Sequence, residues 1–114
     1  MAFAPGHVPV LLDAVLASLQ PRAGGVYVDG TVGGGGHAAA LLAACAPDGR
    51  LLGLDLDPEA AARASTALAR FGDRAAVVNA SYVELATTVR SMGLAPVDGI
   101  LLDLGLSSYQ LADE

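Results

Sequence analysis

The fold is decided by the stretch Val26-Tyr27-Val28-Asp29-Gly30-Thr31-Val32-Gly33-Gly34-Gly35-Gly36-His37. It begins as a short apolar run, which ends in a carboxylate and continues into a loop with four consecutive glycines. Glycine has no Cβ and tolerates positive φ, so such a loop lets the backbone approach a ligand closely. The alanine-rich segment that follows predicts a helix, whose first N–H groups lack intrahelical partners and favour a carboxylate or phosphate. The stretch therefore predicts a strand, a ligand-binding turn and a helix.

A second apolar run, residues 51–54, ends at Asp55. In nucleotide-binding α/β sheets, an acid at the tip of the second strand binds ribose hydroxyls. The glycine loop and Asp55 together predict a ligand that contains a ribose. The alternatives are a purely structural glycine turn and a solvated strand end at Asp55. Asp57, which precedes Pro58, is interpreted as a helix cap rather than a ligand.

The spacing of the glycines separates two classes of nucleotide-binding protein. The dinucleotide fingerprint starts its glycines directly after the strand. Here the strand ends in Asp29, and Gly30-Thr31-Val32 precedes the run of glycines. This arrangement favours the S-adenosylmethionine-binding loop of a class I methyltransferase. An NAD-type dinucleotide-dependent oxidoreductase stays open as the alternative.

Apolar periodicity predicts a regular alternation of helices and strands. We predict strands at residues 26–29, 50–55, 75–79 and 97–104, and helices at about residues 12–19, 37–46, 58–71 and 82–92. The strands read as continuous apolar runs, which indicates an α/β fold with a parallel sheet covered on both faces. The fourth strand would form an apolar edge, which proteins avoid leaving bare. We therefore expect the chain to be the N-terminal part of a longer protein, truncated before the remaining strands.

Composition excludes several classes of function. The chain has 114 residues, of which 54% are hydrophobic, and this is typical of one folded domain. Its net charge is −6 and its six basic residues are scattered arginines, so it carries no electrostatic footprint of nucleic-acid binding. A single cysteine, Cys45, is expected to pack in the core and forms no internal disulfide. We expect no metal site, membrane span or export signal.

A carboxylate and a polar loop follow the fourth predicted strand. The stretch from Asp98 to Leu111 contains Asp103 directly after an apolar run, at the edge of the sheet where ligands bind. An exocyclic amine on a base ring is a poor nucleophile, because its lone pair is delocalised. Polar acceptors on its N–H groups can localise that pair while the protein aligns the nitrogen with a methyl donor. An ordinary exit from a strand into a loop is the alternative.

Several motifs occur in an order that resembles a known family. They are His7-Val8-Pro9-Val10-Leu11-Leu12, Tyr27-Val28-Asp29-Gly30-Thr31, Gly33-Gly34-Gly35-Gly36-His37, Gly49-Arg50-Leu51-Leu52, Asp55-Leu56-Asp57-Pro58 and Asp98-Gly99-Ile100-Leu101-Leu102-Asp103-Leu104-Gly105. They resemble the bacterial ribosomal RNA small subunit methyltransferase H family over nearly the whole chain. The resemblance implies a Rossmann-like class I fold, S-adenosylmethionine as cofactor, and N4-methylation of a cytidine in the decoding region of 16S rRNA. It also implies a cytoplasmic protein that acts on the small ribosomal subunit.

The resemblance also assigns site residues. The family's cofactor contacts carry over to Gly35, Gly36, His37, Asp55, Tyr82, Asp103 and Gln110. The two glycines and the histidine would contact the methionine end, the first aspartate the ribose, and the tyrosine the adenine. Asp103 and Gln110 would complete the pocket near the reacting methyl. Asp103 is the candidate for direct help to the target amine, and therefore the catalytic candidate.

Two departures from the family pattern limit what the chain can do. The family often has proline where this chain has Tyr109. An Arg-Gly-Phe-Ser-Phe segment, a helical substrate-recognition domain and the remaining strands have no counterpart here. We therefore expect a nearly complete cofactor site, RNA contacts mainly through the missing regions, and no activity of the isolated chain on RNA. A non-catalytic cofactor-binding or assembly module, dimerising through the fourth strand, is the non-enzymatic alternative.

Overall fold

Four parallel strands form the sheet that the sequence predicts. The computed structural model of the chain describes residues 14–33 and 35–102. The strands are β1 (Val26–Asp29), β2 (Arg50–Asp55), β3 (Ala75–Asn79) and β4 (Gly99–Leu101), in the spatial order β3-β2-β1-β4. The helices are α1 (residues 14–19), α2 (Gly36–Ala44), α3 (Pro58–Ala67) and α4 (Leu85–Ser91). Short 3₁₀ segments span Ala69–Arg74 and Tyr82–Glu84. The predicted α/β class is confirmed.

Apolar side chains cover both faces of the sheet. On one face, Tyr27 and Leu51 pack with residues of α1, α2 and α3. On the other face, Val28 and Leu52 pack with Val89 of α4. Cys45 is fully buried in the first of these layers, as predicted. Because side chains alternate along a strand, the continuous apolar run of β2 supplies both layers.

The predicted bounds are confirmed for β1, β2 and β3 and differ elsewhere. Helix α3 ends at Ala67, and the 3₁₀ segment that follows, Ala69–Arg74, is kinked at Gly72, whose φ is 62°. The segment Tyr82–Glu84 is also 3₁₀ rather than α-helical. Strand β4 spans Gly99–Leu101 instead of residues 97–104, and Leu102 already lies outside it. The Asp98 carboxylate accepts the N–H of Val26 at 2.8 Å, so this residue closes the preceding loop.

Register aligns the polar strand ends at one edge of the sheet. Asp29 pairs with Gly53 and Leu101, and Asp55 pairs with Asn79. The last residues of β1, β2 and β3 therefore lie at the carboxyl edge, where open α/β sheets bind ligands. In the described part of the chain, no helix is long and apolar enough to cross a membrane. The same residues contain no cluster of His, Cys, Asp and Glu able to hold a metal ion.

Candidate functional site

The glycine loop after β1 is tied to both neighbouring strands. The N–H of Gly30 donates to the carbonyl oxygen of Leu101 at 2.8 Å, and the N–H of Val32 donates to that of Leu54, also at 2.8 Å. A Cβ at Gly30 would overlap the side chain of Leu102. A side chain at Gly30 would therefore require Leu102 to move, and the two backbone hydrogen bonds attach the loop to β4 and β2.

Asp29 holds the start of this loop. The residue is almost fully buried, with 1% of its surface exposed. Its Oδ1 accepts the N–H of Thr31 at 3.1 Å. A buried carboxylate is tolerated only when it is hydrogen-bonded. The acid that ends β1 therefore turns the chain into the loop.

The glycine loop ends at α2, whose first turn is partly exposed to solvent. Gly35 is the N-cap, with φ of 90°, and no side chain caps the helix. Its own N–H donates to Val32, so the free donors at this end come from the helix residues that follow, Gly36 and His37. Gly36 is exposed and His37 is half-buried. This helix end can accept an anionic group such as a carboxylate.

The Asp55 carboxylate links the glycine loop to the end of β2. Its Oδ2 accepts the N–H of Gly33 at 2.9 Å, and its Oδ1 accepts the N–H of Asp57 at 3.0 Å. An ionised carboxylate has about four acceptor positions, so the group keeps capacity for hydroxyl donors. The position of Asp55 follows from the sequence. Its hydrogen bond to Gly33, 22 residues away, could not be predicted, because no local sequence pattern signals it.

Exposed apolar side chains lie beside these acids. Leu56, directly after Asp55, is 72% exposed, and Tyr82, after β3, is 43% exposed. The backbone of Tyr82 is close to the glycine loop, since a Cβ at Gly30 would lie 3.2 Å from the Cβ of Tyr82. These residues offer apolar contact area for a planar ring. Leu56 was not predicted from the sequence as a site residue, although an apolar residue directly after a strand-ending acid is a usable signal.

A cavity of about 400 Å³ adjoins the loop on its other side. It lies between α1, the first turn of α2 and β4, and its described lining comprises Ala14, Val15, Ser18, Leu19, His37, Ile100, Leu101 and Leu102. His37 therefore belongs both to the helix end and to this apolar cavity. The structure thus brings Gly35, Gly36, His37, Asp55 and Tyr82 to one edge of the sheet. Asp103 and Gln110 lie outside the described residues.

Asp57 has the capping role that the sequence predicts. Its Oδ1 accepts the N–H of Glu59 at 3.0 Å, and Pro58 is the first residue of α3. Asn79 is a residue that the sequence analysis missed. Its side-chain Nδ2 donates to the carbonyl oxygens of Asp55 at 2.9 Å and Leu56 at 3.0 Å.

Comparison with known proteins agrees with this geometry. Over 106 residues the chain is 52% identical to the ribosomal RNA small subunit methyltransferase H of Heliobacterium mobile, covering 92% of this chain and 34% of that relative. The chain thus spans about a third of the relative's length. The match confirms the predicted resemblance.

Solved structures share the fold. A protein-L-isoaspartate O-methyltransferase superposes with a TM-score of 0.69 at 16% identity, over 85% of this chain and 29% of that one. Fibrillarin from Aeropyrum pernix, solved with natively bound S-adenosyl-L-methionine, superposes with a TM-score of 0.62 at 18% identity, over 74% of this chain and 35% of that one. A model of the MraW methylase family matches residues 4–114. With nearly every residue matched, the chain belongs to the MraW methylase family.

Proposed function

We propose that the chain carries the cofactor-binding part of an S-adenosylmethionine-dependent rRNA methyltransferase, which modifies N4 of a cytidine in the decoding region of 16S rRNA. One observation carries the proposal: the Asp55 carboxylate joins the glycine loop at Gly33 while keeping acceptor capacity. Family membership supports the reaction class, and the name of the relative supports an rRNA substrate in the small ribosomal subunit. Such a substrate leads us to propose a cytoplasmic location.

The residues present fit the cofactor. The uncapped N–H groups of Gly36 and His37 would bind the methionyl carboxylate, and Asp55 would accept the ribose hydroxyls. Leu56 and Tyr82, both exposed, would contact the adenine. When bound, S-adenosylmethionine would supply the methyl group of its sulfonium: an N–C bond to the cytosine N4 would form as the C–S bond breaks, S-adenosylhomocysteine would leave, and the amine would lose one proton to solvent.

Other residues would contact the cytosine N4 amine and the RNA. By the family resemblance, Asp103 would accept a hydrogen bond from the target amine, and Gln110 would complete the pocket beside it. The net charge of −6 opposes strong phosphate binding by these 114 residues. We therefore propose that most RNA contacts are made by regions corresponding to the other two thirds of the relatives, and that this chain alone transfers no methyl group to RNA.

Deleting the gene that encodes this chain tests the proposed reaction. Mass spectrometry of nucleosides from 16S rRNA should show loss of methylation at N4 of one cytidine. A plasmid copy of the complete gene should restore it, whereas a complete copy carrying Asp55→Ala, or a copy encoding only these 114 residues, should not. Unchanged N4-methylation in the deletion strain would contradict the proposal and favour a non-catalytic module.

Calorimetric titration tests the choice of cofactor. We expect the purified protein to bind S-adenosylhomocysteine and to give no heat with NADH. The reverse result would identify the glycine loop as a dinucleotide site, and the methyltransferase proposal would fail.

A further inference from the structure

The last residue of β3 makes a contact that neither strand formation nor the core requires. Asn79 is exposed and pairs in register with Asp55 of β2. Its side-chain amide lies against two backbone carbonyl oxygens, those of Asp55 at 2.9 Å and Leu56 at 3.0 Å. Two acceptors as neighbours identify the contacting atom as Nδ2, because Oδ1 would face them without a proton.

This contact fixes the backbone at the point where β2 leaves the sheet. The Asp55 carbonyl also accepts the N–H of Ala80 at 3.0 Å, so that oxygen is held from the neighbouring strand by two donors. Only Leu56 and Asp57 separate β2 from α3. Holding the carbonyls of Asp55 and Leu56 therefore sets the direction of the whole connection.

The connection carries the groups proposed to bind the nucleoside. The Asp55 carboxylate accepts N–H groups from Gly33 and Asp57, and Leu56 follows with 72% of its surface exposed. Asparagine is depleted in strands, so its presence here is not explained by strand propensity. Its two hydrogen bonds to the backbone offset that cost.

We propose that Asn79 is a positioning residue for ribose recognition: its amide holds the backbone of Asp55 and Leu56 so that the Asp55 carboxylate meets the ribose hydroxyls. The inference rests on the proposed function, because it needs Asp55 to bind a ribose. Asn79 itself touches no cofactor atom in this scheme. Its removal should therefore weaken discrimination between ribose and deoxyribose, and not only overall affinity.

The test compares S-adenosylhomocysteine with its 2′-deoxy analogue by calorimetry on the full chain. The wild type should bind the ribonucleoside roughly tenfold more tightly than the deoxy analogue, because it loses one hydrogen bond to a charged group with the analogue. Asn79→Ala and Asn79→Leu should reduce that ratio to about threefold or less, because part of the alignment is lost. The leucine variant keeps the side-chain volume without a donor, and circular dichroism verifies that each variant is folded.

Two further variants separate the possible failures. Ser91→Ala removes a similar exposed bond, from Oγ to the carbonyl of Thr88 at 3.0 Å on α4, and should leave the ratio unchanged. Asp55→Ala should bring the ratio close to one. If it does and folded Asn79 variants keep the wild-type ratio, Asn79 has no role in positioning. If Asp55→Ala keeps the wild-type ratio, Asp55 does not bind the ribose. Both that assignment in the proposed function and the inference about Asn79 are then wrong.

Discussion

At the scale of single residues, acidic side chains hold the carboxyl edge by accepting backbone N–H groups. Asp29 accepts from Thr31, Asp55 from Gly33 and Asp57, and Asp57 from Glu59. Asp29 and Asp55 thus fix the glycine loop after β1, and Asp57 caps the first turn of α3. Charge-assisted bonds of this kind are stronger than neutral ones. The edge is therefore preorganised, and removing one acid should loosen the loop beside it.

Gly35 should tolerate no side chain, because its φ of 90° is unfavourable for L-residues. Gly35→Ala should lower the free energy of unfolding by about 1–2 kcal/mol. Gly36→Ala is the matched control, since Gly36 lies in α2, is exposed, and has no atom near an added Cβ. It should be neutral or slightly stabilising. Urea denaturation measures both, and equal midpoints for the two variants would contradict this account of the loop.

At the scale of elements, Arg74 joins the 3₁₀ segment before β3 to the end of α2. Its guanidinium donates to the carbonyl oxygens of Gly49, at 2.7 Å, and Leu42. Helix ends leave carbonyls unsatisfied, and a cation there is favourable. Arg74→Ala should therefore cost about 1–3 kcal/mol of unfolding free energy.

Arg70 provides the control for Arg74. It is exposed and donates to the carbonyl oxygen of Ala67, three residues earlier at the end of α3, at 2.9 Å. It also lies over the ring of Phe71, 4.6 Å from the centroid. Arg70→Ala should cost less than Arg74→Ala in thermal denaturation. A larger loss for Arg70→Ala would show that the link from Arg74 to α2 contributes little.

The capping box before α4 should stabilise the segment that carries Tyr82. The Ser81 Oγ accepts the N–H of Val83 at 3.1 Å, and Glu84 reaches back to the N–H of Ser81. Ser81→Ala should cost about 1 kcal/mol and weaken S-adenosylhomocysteine binding, because Tyr82 loses its support. Ser65→Ala, on the exposed side of α3, should leave the affinity unchanged and be neutral or slightly stabilising. Unaltered affinity in folded Ser81→Ala would separate the capping box from the site.

Local patterns predicted the elements better than the contacts between them. Strands β1, β2 and β3 were predictable because apolar runs in the sequence end abruptly at Asp29, Asp55 and Asn79. The 3₁₀ turns were not, because capping and glycine signals fix where a helix begins or stops without choosing its hydrogen-bond pattern. The bonds of Gly33 to Asp55 and of Arg74 to Leu42 join residues 22 and 32 positions apart. Such pairings depend on the tertiary fold, and no local spacing signals them.

At the scale of the whole molecule, β4 is an edge strand within the described residues. Ile100 is 46% exposed and Leu102 is 40% exposed, and both line the apolar cavity beside α1. Exposed apolar edges promote association. The purified chain should therefore form larger species as its concentration rises.

Sedimentation velocity measures this association. Ile100→Lys should reduce it, since a charge on an edge strand opposes pairing. Met92→Lys, a change at a similarly exposed apolar position at the C-cap of α4, should have a smaller effect. A wild-type sedimentation coefficient that does not change with concentration would show that this edge does not mediate association.

The central proposal concerns the carboxyl edge as a whole: Asp55, held by its hydrogen bond to the glycine loop, would bind the ribose of an adenosyl ligand. The most direct measurement is calorimetric titration of the chain with S-adenosylhomocysteine, in the wild type, Asp55→Ala and Asp73→Ala. Asp73 is an exposed acid just before β3, at the opposite edge of the sheet. We predict binding by the wild type and Asp73→Ala, and at least about a tenfold loss for Asp55→Ala. Equal affinity for all three, or no binding by the folded wild type, would contradict the account.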